Sequence, residues 1–343
     1  MKKKTVFGII VSIVLLCASC KSTEPAVYLE LASPEEYGLN LVKITDEAKG
    51  NVIGCRYGQT SSVNYVNAQC GFNEQSKLAW TCYPNLQVSP SGDKLAYLTT
   101  DKEQCNIIVR NTNSQGISTQ RTFRNVVGGF AWGSDDRLYF SDGNSSNSYI
   151  CSVDANKGSV MLQHTSGNVD DAFPILSSDG KIIYFTRWVS SYGPSIWAFN
   201  KESGTLSSCA RGFNPCPVPN DNESFYCVRN STSGRSEIWF VNYVNGTESI
   251  VLSDVNHGFT SPALSPDGKW LLVVGNSKSS ISKKENTDIF VVRTDGTQLT
   301  QLTYHPAFDV CPVWSKDGKS IFFISSRANK EGYYNIWKMN FNL

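Results

Sequence analysis

Short apolar runs alternate with polar turns along most of this chain of 343 residues, and the runs recur in a fixed order. "FTSPALSPDGKWLLVVGN" (259–276), "FDVCPVWSKDGKSIFFIS" (308–325) and "DDAFPILSSDGKIIYFTR" (170–187) are nearly one phrase written three times. Each begins with an apolar run that reaches a turn, often after a proline (Pro174, Pro217, Pro262, Pro312). Asp-Gly then predicts a tight hairpin, because both residue types tolerate positive φ. A second strand rich in Ile, Phe and Tyr follows. A polar loop leads to a third, such as "SIWAFN", "EIWFVN" or "NIWKMN", and another turn leads to a fourth, such as "ESIVLS" or "TQLTQLT".

The residues that open the first turn are Ser89, Gly133, Ser177, Asn220, Ser265 and Ser315, at steps of 44, 44, 43, 45 and 50. The polar stretch "NSKSSISKKENTD" accounts for the long step as a larger loop. Four antiparallel strands repeated at this period predict an all-β fold, a β-propeller of four-stranded blades. A lone four-stranded sheet exposes two apolar faces and two edges, and stacking blades around a ring buries them. One period before Ser89, the stretch from Leu39 to Cys82 reads as a degenerate first unit, which favours seven blades over six. The last unit lacks a fourth strand, and "AVYLELA" (Ala26–Ala32) is the expected N-terminal strand that closes the ring.

The first twenty residues are a leader rather than structure. Three lysines precede an apolar run too short to span a bilayer, and Ala18-Ser19 stands directly before Cys20. This resembles a bacterial lipoprotein signal, with Cys17 where that motif usually has Leu. The resemblance implies that Cys20 is lipidated, that 21–25 is a short tether and that 26–343 is one propeller domain. Eleven cysteines less Cys17 and Cys20 leave nine. In an exported chain disulfides are permitted, and an odd number leaves at least one thiol without an intramolecular partner. Without the three leader lysines the charges are 28 basic against 30 acidic, a balance that argues against a nucleic-acid partner.

Within this pattern, "PVWSKDGKSIFFISSR" followed by "NIWKMN" (312–340), and "DIFVVRTDGTQLTQLT" (288–303), resemble the TolB-type propeller repeat, one of the WD40-like β-propeller repeats. The likeness covers roughly residues 84–343. It implies a TolB-like propeller in the cell envelope of a diderm bacterium, an outer-membrane lipoprotein without the separate domain that precedes the propeller in TolB itself. Similar propellers accompany prolyl oligopeptidase-type peptidases and form the body of oligogalacturonate lyase, so fold alone does not assign function.

No GxSxG, HExxH, P-loop or GxGxxG is present, no cofactor is implied, and the absence points away from catalysis. His164, His257 and His305 each follow a fourth strand, so a metal held by the three at the propeller mouth is the alternative, with lyase-like action on envelope polysaccharide. The Asp-Gly turns are assigned no chemistry. Trp197, Trp239 and Trp337 recur at one position of the third strand and are expected to pack blade against blade. The loops after the second strand carry Arg187, Trp188, Tyr192, Arg229, Arg327 and Tyr333, residue types found at binding hot spots. The expectation is a protein-binding or scaffold module that docks an envelope protein on the face holding these loops and touches the membrane only through its lipid.

Overall fold

In the computed structural model the described residues are 32–46 and 85–342, apart from short stretches at 102–103, 114–116, 124–125, 145–146, 158–159, 190–192, 279–284 and 329–333. The expected strand Ala26–Ala32, except Ala32, and most of the degenerate unit at Leu39–Cys82 lie outside the described residues.

Twenty-four strands form six four-stranded antiparallel units among the described residues. In the third unit, for example, Asp170–Leu176, Ile182–Val189, Gly193–Asn200 and Leu206–Arg211 pair in chain order. The second and third units are joined into one sheet by a parallel bridge from Asp170 to Ser148. Each unit buries both faces against its neighbours. Tyr139, Ile150, Ile183 and Phe185 share one cluster between units two and three. Tyr184, Ile196, Phe225 and Val241 share the next, and the series continues through units four, five and six. The last unit in turn packs on the first, where Val310, Phe322, Ile324 and Ile336 meet Leu86, Leu95 and Tyr97.

The fourth strand of the sixth unit is Val42–Lys43, paired with the final strand Asn335–Asn340. It is therefore not the Ala26–Ala32 segment, and Val42–Lys43 is not the opening strand of a separate first unit. A repeated hydrogen bond identifies the position. Ile107, Ile150 and Ile289 each donate a backbone N–H to a threonine hydroxyl just past the fourth strand, at Thr122, Thr165 and Thr303, at 2.8–2.9 Å. Ile336 donates in the same way to Thr45 at 2.9 Å. "VKIT" (42–45) is thus a fourth strand of the same type as "TQRT", "LQHT" and "TQLT", displaced to the other end of the chain.

A 3₁₀ helix, Pro34–Leu39, precedes this strand. Its Glu36 is fully buried and pairs with Arg327 of the sixth unit, at 3.0 Å from Oε2 to Nη1 and 3.2 Å from Oε1 to Nη2. Glu36 Oε1 also accepts the backbone N–H of Tyr304 at 2.7 Å.

The three Asp-Gly turns follow one plan that differs in detail from the expectation. Only the glycine takes positive φ, at 70° in Gly180, 71° in Gly268 and 69° in Gly318. The aspartate instead uses its carboxylate: Oδ1 of Asp179, Asp267 and Asp317 accepts the hydroxyl of Ser177, Ser265 and Ser315, each at 2.6 Å. Among the described residues the six cysteines Cys105, Cys151, Cys209, Cys216, Cys227 and Cys311 are all free thiols.

Candidate functional site

The first strand of each unit is the innermost, and its free edge faces the centre of the ring. Four of these strands bulge at the same place. Phe173, Asn214, Ser261 and Cys311 take φ of 53°, 57°, 55° and 52°, each directly before a proline, and Gly129 at 75° stands at the matching point of the second unit. The pairing register shifts there in every case. A bulge re-aims the strand and leaves a residue out of the ladder. The following residue would normally present an unpaired N–H to the centre, but Pro174, Pro215, Pro262 and Pro312 have none to present. At these four positions the wall has no backbone donor to expose.

These strands line a central cavity of about 510 Å³. Its walls carry Leu86, Phe173, Ile175, Val218, Val313 and Trp314 besides the prolines. It opens among the Asp-Gly turns, at Ser178, Ser265, Pro266 and Ser315. Two thiols, Cys216 and Cys311, stand in the wall, and burial pushes each up to about 12, so both are neutral and unreactive at physiological pH. The cavity is apolar, concave and preformed, which suits it to bind an apolar segment. It lies on the face opposite the one expected from the sequence.

The residues expected to form the site are placed otherwise. Arg187 is buried and pairs with Asp171, with Nε to Oδ1 at 2.6 Å and Nη2 to Oδ2 at 2.9 Å. Asp171 also accepts the Thr165 hydroxyl at 2.7 Å, which ties the third unit to the second. Arg327 is fully buried between Glu36 and Asp309. Arg229 forks onto Glu248 with two contacts of 2.8 Å and donates through Nε to the Arg211 carbonyl of the third unit at 3.0 Å. The guanidinium groups of Arg187, Arg229 and Arg327 lie 4.6, 4.7 and 5.9 Å from the rings of Trp197, Trp239 and Trp337. The recurring arginine and the recurring tryptophan are therefore two halves of one device that the repeat writes in three units. Trp188 lies within strand Ile182–Val189 rather than in a polar loop, half-buried with its ring 5.5 Å from Phe173. Tyr192 and Tyr333 lie outside the described residues.

The three histidines do not converge. His164 accepts or donates at 2.8 Å to the Ser152 hydroxyl and packs on Tyr139, and burial, then Lys201 and Arg137, lower it to about 4. His257 Nδ1 is 2.9 Å from Asp254. His305 is fully buried, and its Nδ1 accepts the Ala307 N–H at 3.0 Å. No three His, Cys, Asp or Glu side chains come together as a metal site among the described residues.

The innermost strands with their central cavity define an all-β protein of the propeller class, with a cavity where the strands meet. Residues 215–343 match the TolB beta propeller domain family. The chain superposes on TolB from Acinetobacter baumannii with a TM-score of 0.55 at 18% identity, over 67% of this chain and 56% of that one. It thus spans just over half the length of that TolB. Putative TolB from Agrobacterium tumefaciens gives a TM-score of 0.56 at 15% identity, over 77% and 91%. An oligogalacturonate lyase from Vibrio parahaemolyticus gives 0.54 at 12%, over 88% and 97%. At these identities the likeness is one of fold. The chain is a TolB-like β-propeller.

Proposed function

We propose that this propeller is a protein-binding module of the cell envelope, held to the membrane by a lipid on Cys20, whose central cavity accepts an apolar segment of a partner protein. The observation that supports it most is the cavity of about 510 Å³, whose wall is mainly apolar and carries a proline at the bulge of four innermost strands. Six units among the described residues supply the rigid frame, and Val42–Lys43 completes the last of them. No helix among the described residues is long and apolar enough to cross a membrane, which is compatible with a lipid anchor. Lyase-like action on polysaccharide has less support, because His164, His257 and His305 each have a local partner of their own.

Val313 is half-buried and lines the cavity, so Val313→Trp fills it from the wall. Detergent-solubilised envelopes are passed over the parent and over Val313→Trp, with melting curves to establish that both are folded. A stoichiometric protein partner retained by the parent and lost from the variant is expected. Equal capture by the two would place the partner elsewhere and overturn the cavity reading.

A further inference from the structure

A second, smaller cavity of about 360 Å³ adjoins the central one on the turn face, between the fifth and sixth units. Ser265, Pro266 and Trp314 line both. The outer part is an aromatic box. Phe341 sits edge-on to Trp314 at 4.7 Å and to Trp270 at 5.9 Å between centroids. Asp267 and Asp317 stand at its sides, and no basic residue lines it. Both carboxylates spend Oδ1 on the turn, which accepts Ser265 or Ser315 and a backbone N–H. Of the cations nearby, Lys269 Nζ is 3.8 Å from Asp267 on a side chain that is 67% exposed. Lys316 is bonded away to the Pro90 carbonyl.

The same indole shows what its face accepts. Arg293 lies over the Trp270 ring at 4.8 Å, and a neighbouring cavity is lined by Arg293 and Trp270 together with Asp267, Lys269, Gln298 and Thr300. The box shares Trp270 and Asp267 with that cavity and adds Trp314, Phe341 and Asp317, with no basic side chain in its lining; the cations Lys269 and Arg293 line the neighbouring cavity. Aromatic rings with carboxylates alongside complement an ammonium or a guanidinium, which gains from the ring quadrupole and from the charge together.

We infer that the box formed by Trp270, Trp314 and Phe341 with Asp267 and Asp317 binds a cationic side chain, arginine or lysine, of the partner protein. The inference rests on the central cavity being the partner's site. It adds that the partner's segment carries a basic residue close to its apolar anchor, because the two cavities share a wall. The hydroxyls of Ser265 and Ser315 hold the two carboxyls below the usual range, so both are charged at neutral pH.

The test uses the full chain labelled with 5-fluorotryptophan and read by fluorine NMR. The probe is N-acetyl-arginine amide, with the uncharged N-acetyl-citrulline amide as its control. Arginine amide is expected to shift the Trp270 and Trp314 signals saturably, and citrulline amide to leave them in place. In Asp267→Asn/Asp317→Asn the titration midpoint should weaken about tenfold. Asn retains the acceptor oxygen of the turn, and unmoved signals from the other tryptophans establish folding. Equal shifts with citrulline amide, no shift with either, or an unchanged midpoint in the double variant would each overturn the cationic site. A parallel titration with the apolar peptide acetyl-Leu-Pro-Leu-amide reads the central cavity separately. Apolar binding without arginine binding leaves the central reading and removes the box. Arginine binding without apolar binding leaves the box and removes the central reading.

Discussion

The buried triad of Glu36, Arg327 and Asp309 allows a quantitative test of how the N-terminal segment holds the last unit. One guanidinium faces two carboxylates, and all three side chains are fully buried. Arg327→Met leaves two buried acids with no cation. Removal of one partner from a buried pair costs about 3–5 kcal/mol. The effect should lie at the upper end, since the guanidinium also lies 5.3 Å from Phe323. Glu36→Gln has a smaller effect. It leaves Arg327 paired one to one with Asp309, and the amide oxygen can still accept from Tyr304 or Ser33. What is lost is the charge-assisted part of the Glu36 contacts, about 1.5–3 kcal/mol. Urea unfolding of parent and variants, followed by tryptophan fluorescence, should therefore rank Arg327→Met below Glu36→Gln below the parent. If Glu36→Gln is as damaging as Arg327→Met, the triad is not balanced as its geometry indicates. If both stay within about 0.5 kcal/mol of the parent, the helix Pro34–Leu39 does not hold the sixth unit at all.

Other outcomes follow from the same geometry. Burial raises Asp309 to about 6, with Arg327 opposing and Glu36 adding to the rise, so its contribution to stability is complete below its ordinary 3.8 and is lost as pH rises through about 6. Asp309→Asn should flatten the decline of melting temperature between pH 4 and 6, and an unchanged profile would exclude this origin. Thr45→Val should cost about 1–2 kcal/mol, close to the effect of Thr303→Val, because the two hydroxyls accept the same kind of buried N–H; a harmless Thr45→Val in urea would deny Val42–Thr45 its place in the repeat. Arg187→Ala should destabilise by about 3–5 kcal/mol through the Asp171 carboxylate left behind, with partner capture intact in whatever fraction stays folded. Cys20→Ser should move the protein from the membrane pellet to the soluble fraction, and retention in the pellet would refute the lipid anchor.

The sequence by itself determined the repeat. Apolar alternation, Asp-Gly turns and the step near 44 residues specify four-stranded units, since each residue pattern acts on neighbours only a few positions away. The packing role of Trp197, Trp239 and Trp337 was also legible, because a residue recurring at one register position meets the same surroundings in each unit. Even the fourth strand of the last unit was written there, as "VKIT" beside "TQLT", although a match over four residues acquires meaning only once Thr45 is seen to accept the Ile336 N–H. That contact joins residues 291 apart, and nothing local encodes it. The tertiary structure alone decided what the arginines do. Arg187, Arg229 and Arg327 read equally as binding residues or as contacts to a neighbouring unit until strand pairing and unit stacking brought Asp171, Glu248, Glu36 and Asp309 to them. It likewise shaped the central cavity. Each unit contributes a bulge and a proline that mean little in isolation. Only the convergence of the innermost strands turns them into the apolar wall of a cavity, because a concave surface belongs to several units together and to none of them alone.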